Sequence, residues 1–317
     1  MPKLVEIKNL KKYFKTSRGM VHAVDGVTLD IKQGKTMGIV GESGCGKSTL
    51  GRILVHLEES TGGQIIFNNE DVTQLKKNDM KKFREHAQII FQDPYSSLDP
   101  RYTVEDSIKE SLMMSGKYNR AKALEKTQEL MDLVGIAPRL RLAYPHELDG
   151  GRRQRVGIAR ALALDPEFIV CDEPVSALDV SIQAQILNLL KKLQQEQNLT
   201  YMFITHDLSV VKHISDDICV MYLGQLVETC SSKELFHRQY HPYTKALLSA
   251  IPSVNIRHKM NRIVLKGEIT SPINPKPGCR FAARCNYACE KCHEPQKLME
   301  VSPDHFVSCC RAKEINN

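Results

Sequence analysis

The sequence predicts an α/β fold in which a parallel sheet is flanked by helices, and three observations support this prediction. Short β-branched runs alternate with longer helical patterns along most of the 317 residues, as in chains that wind back and forth across a parallel sheet. A nearly all-helical stretch at about 93–164 interrupts the alternation and predicts an inserted helical subdomain. After Pro252, a proline-containing segment leads into a small cysteine-rich appendix.

Strands are predicted where β-branched and apolar runs are bounded by turn residues. They cover 5–8, 26–31, 36–40, 63–67, 88–91, 167–172, 200–205, 218–222 and 225–228. Helices are predicted where apolar residues recur with helical periodicity, at about 47–55, 104–114, 120–134, 150–164, 180–197 and 243–250. The predicted domains are therefore a main domain at 1–255 and a linker with its appendix at 256–317.

The composition is that of an ordinary globular chain, with 42% hydrophobic and 26% charged residues, which excludes disorder, collagen and coiled coil. The net charge of +7 suits a phosphate-rich ligand, nucleic acid or an anionic membrane face without choosing among them. No run approaches the ~18 apolar residues that span a bilayer, and the first residues lack an apolar signal core. We therefore expect the chain to stay in the cytoplasm.

A glycine-rich loop between the strand at 36–40 and the following helix matches the P-loop pattern. Its glycines let successive N–H groups point at phosphate oxygens, while Lys47 supplies charge to the terminal phosphates and Ser48 a hydroxyl to Mg²⁺. The predicted nucleotide-binding residues here are Gly41, Ser43, Gly44, Cys45, Gly46, Lys47, Ser48 and Thr49.

Two further strand ends carry polar residues suited to the same chemistry. The apolar run from Phe168 ends at Asp172 and Glu173. We expect Asp172 in the Mg²⁺ shell and Glu173 to orient or deprotonate the attacking water. The strand at 200–205 is followed by His206, which can reach the γ-phosphate.

With these motifs in place, the sequence resembles the nucleotide-binding subunits of ABC transporters over nearly its whole length. By that resemblance Gln92 is the Q-loop glutamine and a further Mg²⁺ ligand, Asp179 belongs to the D-loop, and His206 is the switch histidine. The fold implied is a P-loop NTPase of ABC type. Phe14 falls where the family places an aromatic residue that stacks on adenine, with neighbouring Tyr13 as the alternative and a plain core aromatic as the third interpretation.

Two stretches, 94–101 and 241–248, look like the subgroup that imports di- and oligopeptides. The resemblance implies an ATPase paired with a second ABC ATPase subunit and two integral permease subunits at the cytoplasmic face of the cell membrane. An extracytoplasmic solute-binding protein would be an indirect partner. His237 and His241 lie four residues apart, but Pro242 predicts a helix start there rather than a metal pair.

The loop that corresponds to the family's signature, Leu-Ser-Gly-Gly-Gln, departs from it. Here the family's serine is replaced by Asp149, which precedes Gly150 and Gly151. Aspartate caps a helix as well as serine does, but ionised aspartate cannot donate a hydrogen bond to phosphate. We expect pairing with Arg152 and Arg153, and an asymmetric heterodimer in which the partner's ATP, facing Asp149, turns over slowly. A compensated substitution with normal turnover is the alternative.

The cysteine-rich appendix predicts a metal centre, because in a reducing compartment a local group of cysteines more often binds metal than forms disulfides. The predicted ligands are Cys279, Cys285, Cys292 and Cys309, with Cys289 and Cys310 as extra thiols. Thiolates suit either Zn²⁺ or an iron–sulfur cluster, and the spacing of these four cysteines fits neither the Cys-x-x-Cys zinc pairs nor the ferredoxin run. The family resemblance favours a [4Fe–4S] cluster, with zinc and free thiols as alternatives.

Other functions compete with peptide import. The same subunit could serve nickel or another small solute, and a soluble ABC ATPase acting on ribosomes or DNA would suit the positive charge. Against nucleic acid, the basic group at 76–84 has no interleaved aromatic residue, which predicts a solvated helix face. A non-catalytic ATP binder would lack Glu173 or His206, and both are present.

Overall fold

The computed structural model describes residues 2–251, 262–265, 267 and 271–316. The strands are β1 (Lys3–Thr16), β2 (Gly19–Lys32), β3 (Thr36–Val40), β4 (Gly62–Phe67), β5 (Glu70–Asp71), β6 (Ala87–Ile90), β7 (Phe168–Asp172), β8 (Thr200–Thr205), β9 (Asp217–Tyr222), β10 (Gln225–Ser231), β11 (Met299–Ser302) and β12 (His305–Val307). The helices are α1 (Lys47–Leu54), α2 (Lys77–His86), α3 (Val104–Ser115), α4 (Arg120–Leu133), α5 (Gly150–Leu162), α6 (Val180–Gln197), α7 (Leu208–Ile214), α8 (Ser232–His237) and α9 (Pro242–Ser249). Within the described ranges, none of the helices has the length and hydropathy needed to cross a lipid bilayer.

The chain divides into two compact units. The first comprises Met1–Ile53, Glu58–Thr73 and Phe203–Asn317, and the second comprises Leu54–Leu57 and Gln74–Met202. The chain passes from the second unit to the first within β8. The helical subdomain at 93–164 and the boundary at 255/256 remain predictions, and the boundary lies outside the described residues, as does Pro252.

The first unit contains more antiparallel pairing than the sequence predicted. β1 pairs antiparallel with β2 and β4, and β9 pairs antiparallel with β10, whereas β3 and β9 are parallel. The reason is the length of the connections. Only two residues join β1 to β2, and Leu223 and Gly224, both at positive φ, join β9 to β10. Such short turns can connect only antiparallel neighbours.

The second unit combines the parallel pair β6 and β7 with the helices α2 to α6. Each of four helices begins at a residue whose side chain accepts a backbone N–H three residues further on, namely Thr103, Asn119, Asp149 and Asp179. These caps satisfy N–H groups that a helix leaves without internal partners. Helix α2 exposes the basic side chains at 76, 77, 81, 82 and 84, and this confirms the predicted solvated face.

Most predicted elements agree with the structure. The bounds of β3, β8 and α6 match the prediction, and α9 begins after His241, whose Nδ1 accepts the Tyr243 N–H at 3.1 Å. The predicted helix start at Pro242 is therefore confirmed. The sequence reasoning did not identify α7, α8 and the short strands β11 and β12, because each is too brief to show a clear period.

Candidate functional site

Backbone geometry at the P-loop explains why it is rich in glycine. β3 is buried throughout, and the loop leads from it into α1. Gly46 has φ +102°, and a Cβ placed on it would lie 1.9 Å from the carbonyl oxygen of Ala23. A Cβ on Gly41 would lie 2.1 Å from the carbonyl oxygen of Met221. Because backbone atoms cannot yield, only glycine fits at these two positions.

Lys47, the first residue of α1, closes the loop on itself. Its side chain is 4% exposed, and Nζ donates to the carbonyl oxygens of Gly41 at 2.9 Å and Glu42 at 3.0 Å. The ammonium group therefore lies at the N-terminus of the helix, where the backbone already favours an anion. This is the arrangement expected for a lysine that contacts the terminal phosphates of a nucleotide.

Cys45 contributes to this loop through a buried thiol, whose sulfur lies 3.9 Å from Lys47 Nζ, and through its backbone. The side chain is buried, and burial raises the pKa of its thiol, so Cys45 is a neutral packing residue at physiological pH. Its carbonyl oxygen accepts the Gly224 N–H at 2.8 Å. The loop is thereby tied to the turn between β9 and β10.

In the second unit, the structure brings Gln92 and Glu173 together. β7 is buried along its length and ends at Asp172, which is 3% exposed. Glu173 follows at φ +47°, an unusual conformation for a residue other than glycine. Gln92 Nε2 donates to Glu173 Oε2 at 3.0 Å. This contact holds the carboxylate that the sequence predicts to act on water.

The predicted D-loop ends in a helix cap. Asp179 Oδ1 accepts the Ile182 N–H at 3.0 Å and the Ser181 hydroxyl at 2.8 Å. These hydrogen bonds, the first of them above all, lower the pKa of Asp179. The residue therefore stays ionised at the start of α6, while its predicted nucleotide-binding role remains a prediction.

Asp149 occupies the N-cap position of α5 as predicted. Its Oδ1 accepts the Arg152 N–H at 2.8 Å, and Arg152 Nε lies 3.4 Å from Oδ2, so the cap and the first ion pair are confirmed. The predicted pairing with Arg153 is wrong. Arg153 Nε donates instead to the carbonyl oxygen of Pro145 at 2.6 Å, and its guanidinium lies over the Tyr95 ring. One arginine rather than two therefore offsets the charge of Asp149.

The glycines of the same loop allow close packing at the start of α5. A Cβ on Gly151 would lie 2.5 Å from the Ile182 side chain, and one on Gly150 would lie 3.0 Å from the Leu178 side chain. Larger residues would push this loop away from α6 and the D-loop. His206, the predicted switch residue, is exposed directly after β8 in the first unit.

The two aromatic residues that compete for adenine stacking have different surroundings. Tyr13 stacks on His22 with ring centroids 4.0 Å apart, and its hydroxyl donates to Asp25. Burial and this hydrogen bond raise the pKa of Tyr13 to about 12. Phe14 is only partly buried, and Lys12 Nζ lies 4.8 Å from its ring centroid. Phe14 is therefore not a plain core aromatic, and its stacking role remains a prediction.

The structure groups the appendix cysteines differently from the prediction. The sulfurs of Cys289, Cys292 and Cys310 lie within 4.8 Å of one another, and Cys292 Sγ is 3.8 Å from each of the other two. Cys289 and Cys310 were predicted as extra thiols, so only Cys292 belongs to both sets. Cys289 and Cys292 of this trio form a Cys-x-x-Cys pair, a spacing that the predicted quartet does not contain.

The other three predicted ligands, Cys279, Cys285 and Cys309, lie near enough to the trio to interact electrostatically with it. Burial raises the pKa of Cys279 to about 11, and negative charge on Cys292, Cys309 or Cys285 would raise it further. Sulfurs bonded to one tetrahedral zinc at about 2.3 Å lie about 3.8 Å apart. Two of the three sulfur pairs have that spacing and the third lies within 4.8 Å, so these soft donors, with more thiols next to them, fit a thiolate-bound metal centre.

Comparison with known families gives matches to both parts of the chain. Residues 24–176 match the family model described as ABC transporter. Residues 227–292 match the model described as oligopeptide/dipeptide transporter, C-terminal region.

Several curated proteins are similar over nearly their full length. The oligopeptide transport ATP-binding protein AppF of Bacillus subtilis is 50% identical, with 96% of each chain covered. OppF of the same organism, another oligopeptide transport ATP-binding protein, is 49% identical and covers 98% of this chain and 97% of its own. A putative peptide import ATP-binding protein of Brucella ovis is 47% identical, with 97% of this chain and 98% of the relative covered.

Solved structures agree with the fold. The ATP-binding cassette MJ0796, in a dimeric post-hydrolysis state bound to ADP and Pi, has a TM-score of 0.66 and 30% identity, covering 72% of this chain and 98% of its own. CbiO1 from Clostridium perfringens, part of the ABC transporter complex CbiONQ, has a TM-score of 0.67 and 28% identity, covering 75% of this chain and 92% of its own. The predicted ABC-type α/β fold is thus confirmed, and the chain belongs to the ATP-binding proteins of ABC transporters, a family of ATPases, within the group of oligopeptide and peptide import ATP-binding proteins.

Proposed function

We propose that this chain binds and hydrolyses ATP to power the import of di- and oligopeptides through an integral membrane permease. The observation that carries the proposal is the P-loop, in which Lys47 is held at the N-terminus of α1 by the loop's own carbonyl groups. The names of the similar proteins and the match of the C-terminal region to an oligopeptide transporter model support peptides as the solute.

The site residues have distinct roles in the proposed reaction. Lys47 and the loop N–H groups bind the β- and γ-phosphates, and Ser48, Asp172 and Gln92 hold Mg²⁺. Glu173 orients or deprotonates the attacking water, and His206 contacts the γ-phosphate. The other nucleotide contacts are those of Phe14, Gly41, Ser43, Gly44, Cys45, Gly46, Thr49, Gly150, Gly151 and Asp179.

The ATPase works as part of an assembly at the cytoplasmic face of the cell membrane. Its partners are a second ABC ATPase subunit, two permease subunits and, indirectly, an extracytoplasmic solute-binding protein. Each ATP is held between one subunit's P-loop and the other's signature loop. Because Asp149 cannot donate to phosphate when ionised, the dimer is asymmetric, and the site facing Asp149 turns over slowly.

The appendix cysteines hold a metal centre, either a [4Fe–4S] cluster or zinc. Its role is structural, since thiolate-bound metal can replace the core that so small a segment lacks. Metal and labile sulfide analysis of the anaerobically purified chain identifies the metal. Cys292→Ser should abolish binding whichever set is used. Loss in Cys285→Ser alone supports the predicted quartet, loss in Cys310→Ser alone supports the trio, and a metal-free wild-type protein refutes the centre.

Uptake by the assembled transporter tests the transport function. Vesicles that contain the complex, its binding protein and internal ATP should accumulate a radiolabelled oligopeptide. Lys47→Ala should abolish uptake, whereas Lys297→Ala, which changes an exposed lysine of the same unit, should not. Accumulation of radioactive nickel in place of peptide would assign a different solute, and uptake that survives Lys47→Ala would refute the proposed role of the P-loop.

A further inference from the structure

Within the first unit, Phe281 anchors a short segment of the cysteine-rich appendix, residues 279–285. This side chain is 1% exposed and lies edge-on to Tyr222, with ring centroids 5.3 Å apart, and 5.4 Å from the ring of Tyr243. Cys279 and Cys285 are the two ends of the segment. The aromatic contacts fix the turn Ala282–Arg284 that follows Phe281.

Arg284, at the end of that turn, reaches the P-loop. Its side chain is 9% exposed, and Nη1 donates to Glu42 Oε2 at 2.8 Å and to Oε1 at 3.1 Å. Although burial opposes the charged form, the Glu42 carboxylate raises the pKa of Arg284 above its usual value. Removing one member of such a pair destabilises the fold, because the remaining charge is left without its partner.

Glu42 connects this ion pair to the lysine of the P-loop. Its backbone N–H donates to the Tyr243 hydroxyl at 2.9 Å, and its carbonyl oxygen accepts from Lys47 Nζ at 3.0 Å. The second residue of the loop is thus held through its side chain by Arg284 and through its N–H by Tyr243. Its carbonyl in turn helps to place the ammonium group that is expected to contact phosphate.

A second arginine of the same segment binds the neighbouring elements. Arg280 donates to the carboxylate of Asp25 and to the carbonyl oxygen of Leu223. Asp25 also accepts the Tyr13 hydroxyl, and Leu223 precedes the glycine whose N–H donates to the carbonyl of Cys45. Both arginines of residues 279–285 therefore contact groups that shape the nucleotide-binding part of the first unit.

We propose that Arg284 is a positioning residue for nucleotide binding, which acts through Glu42 to hold the P-loop and Lys47 in place. The cysteine-rich appendix thereby sets how tightly the loop binds the phosphates of a nucleotide. This inference rests on the proposed function, since it requires that ATP bind at the 41–48 loop.

The affinity of the purified full chain for MgATP and MgADP, measured by isothermal titration calorimetry, tests the inference. Arg284→Gln should weaken both affinities about tenfold or more, which is the loss seen when a residue that orients a metal-ligating side chain is removed. Arg311→Gln is the matched control, because Arg311 is a half-buried arginine of the same appendix whose partners are the exposed Glu314 and the carbonyl oxygen of Tyr287. It should leave both affinities unchanged. Equal affinities in the two variants would overturn the inference.

Glu42→Gln tests the same contact from the other side without altering the appendix, and it serves even if Arg284→Gln does not fold. It should weaken nucleotide binding to a similar degree, and the double variant should be no weaker than either single variant. If the loss of affinity in the double variant equals the product of the losses in the two single variants, the two residues act independently and the inference is overturned. If the wild-type chain itself binds no MgATP, or if Lys47→Ala binds it normally, the proposed function fails instead.

Discussion

The substitution Asp149→Ser should accelerate hydrolysis at the ATP site of the partner subunit. Asp149 caps α5 through the Arg152 N–H, and serine caps helices as well as aspartate does. The folded state of the loop should therefore be preserved. What changes is that a negative side chain becomes a neutral hydrogen-bond donor.

The expected size of the effect follows from the charges. Two unit negative charges about 5 Å apart repel by roughly 3 kcal/mol at an effective dielectric of ~20. Arg152 lies 3.4 Å from the carboxylate, but the side chains are 47% and 58% exposed, and such pairs contribute no more than about 1 kcal/mol. The remaining ~2 kcal/mol corresponds to about a 30-fold faster reaction.

The assay isolates the partner's site. In the assembled transporter, Glu173→Gln in this chain blocks its own site, so the residual rate of phosphate release reports the site that faces Asp149. Adding Asp149→Ser should raise that rate about 30-fold by the charge argument above, and Arg152→Gln should lower it. An unchanged residual rate in both variants would refute the asymmetry and favour the compensated substitution.

Four further substitutions test the packing and electrostatics of the first unit. Gly46→Ala should abolish nucleotide binding and destabilise the fold, because its Cβ would collide with backbone atoms. Gly44 has open space around it, so Gly44→Ala should lower the free energy of unfolding, measured by chemical denaturation, by only about 1 kcal/mol of backbone strain. Glu228→Ala should lower the free energy of unfolding by at least about 3 kcal/mol, since this buried carboxylate accepts two backbone N–H groups and contacts a buried histidine ring; a loss below about 1 kcal/mol would contradict its role. Burial lowers the pKa of His241 to about 4. As the pH drops below about 6.5, this histidine therefore becomes protonated in the unfolded chain but stays neutral in the folded chain. The free energy of unfolding should fall by about 3 kcal/mol between about pH 6.5 and pH 4. His241→Asn, which can still cap α9, should lose that part of the pH dependence, and an unchanged pH profile would refute the assignment.

Local features of the fold and site were predictable from the sequence. A glycine-rich loop followed by lysine requires a particular backbone, and a helix cap involves residues only three positions apart, so the P-loop and Asp149 lie as expected. Strand direction was not predictable from composition, because a β-branched run looks the same in parallel and antiparallel sheets. The two-residue connection between β1 and β2 was the available signal for their antiparallel pairing.

Contacts that depend on tertiary packing rather than on a single helix or turn were not predictable. Arg153 and Arg152 are adjacent in sequence, yet Arg153 donates to the carbonyl of Pro145, whose position depends on tertiary packing. The spacing of six cysteines does not say which sulfurs meet. The contact of Arg284 with Glu42 joins residues 242 positions apart, and neither residue type marks it in the sequence.

The proposed hydrolysis of ATP held by the 41–48 loop depends on Glu173. The most direct measurement is the rate of phosphate release by the assembled transporter carrying Glu173→Gln in this chain, with ATP binding to the same chain measured in parallel. Binding should persist while the total rate falls about 20- to 30-fold, to little more than the residual rate of the slower site that faces Asp149, because loss of the general base slows this chain's own site about a hundredfold or more. A variant that binds ATP and hydrolyses it at the wild-type rate would refute this role of Glu173.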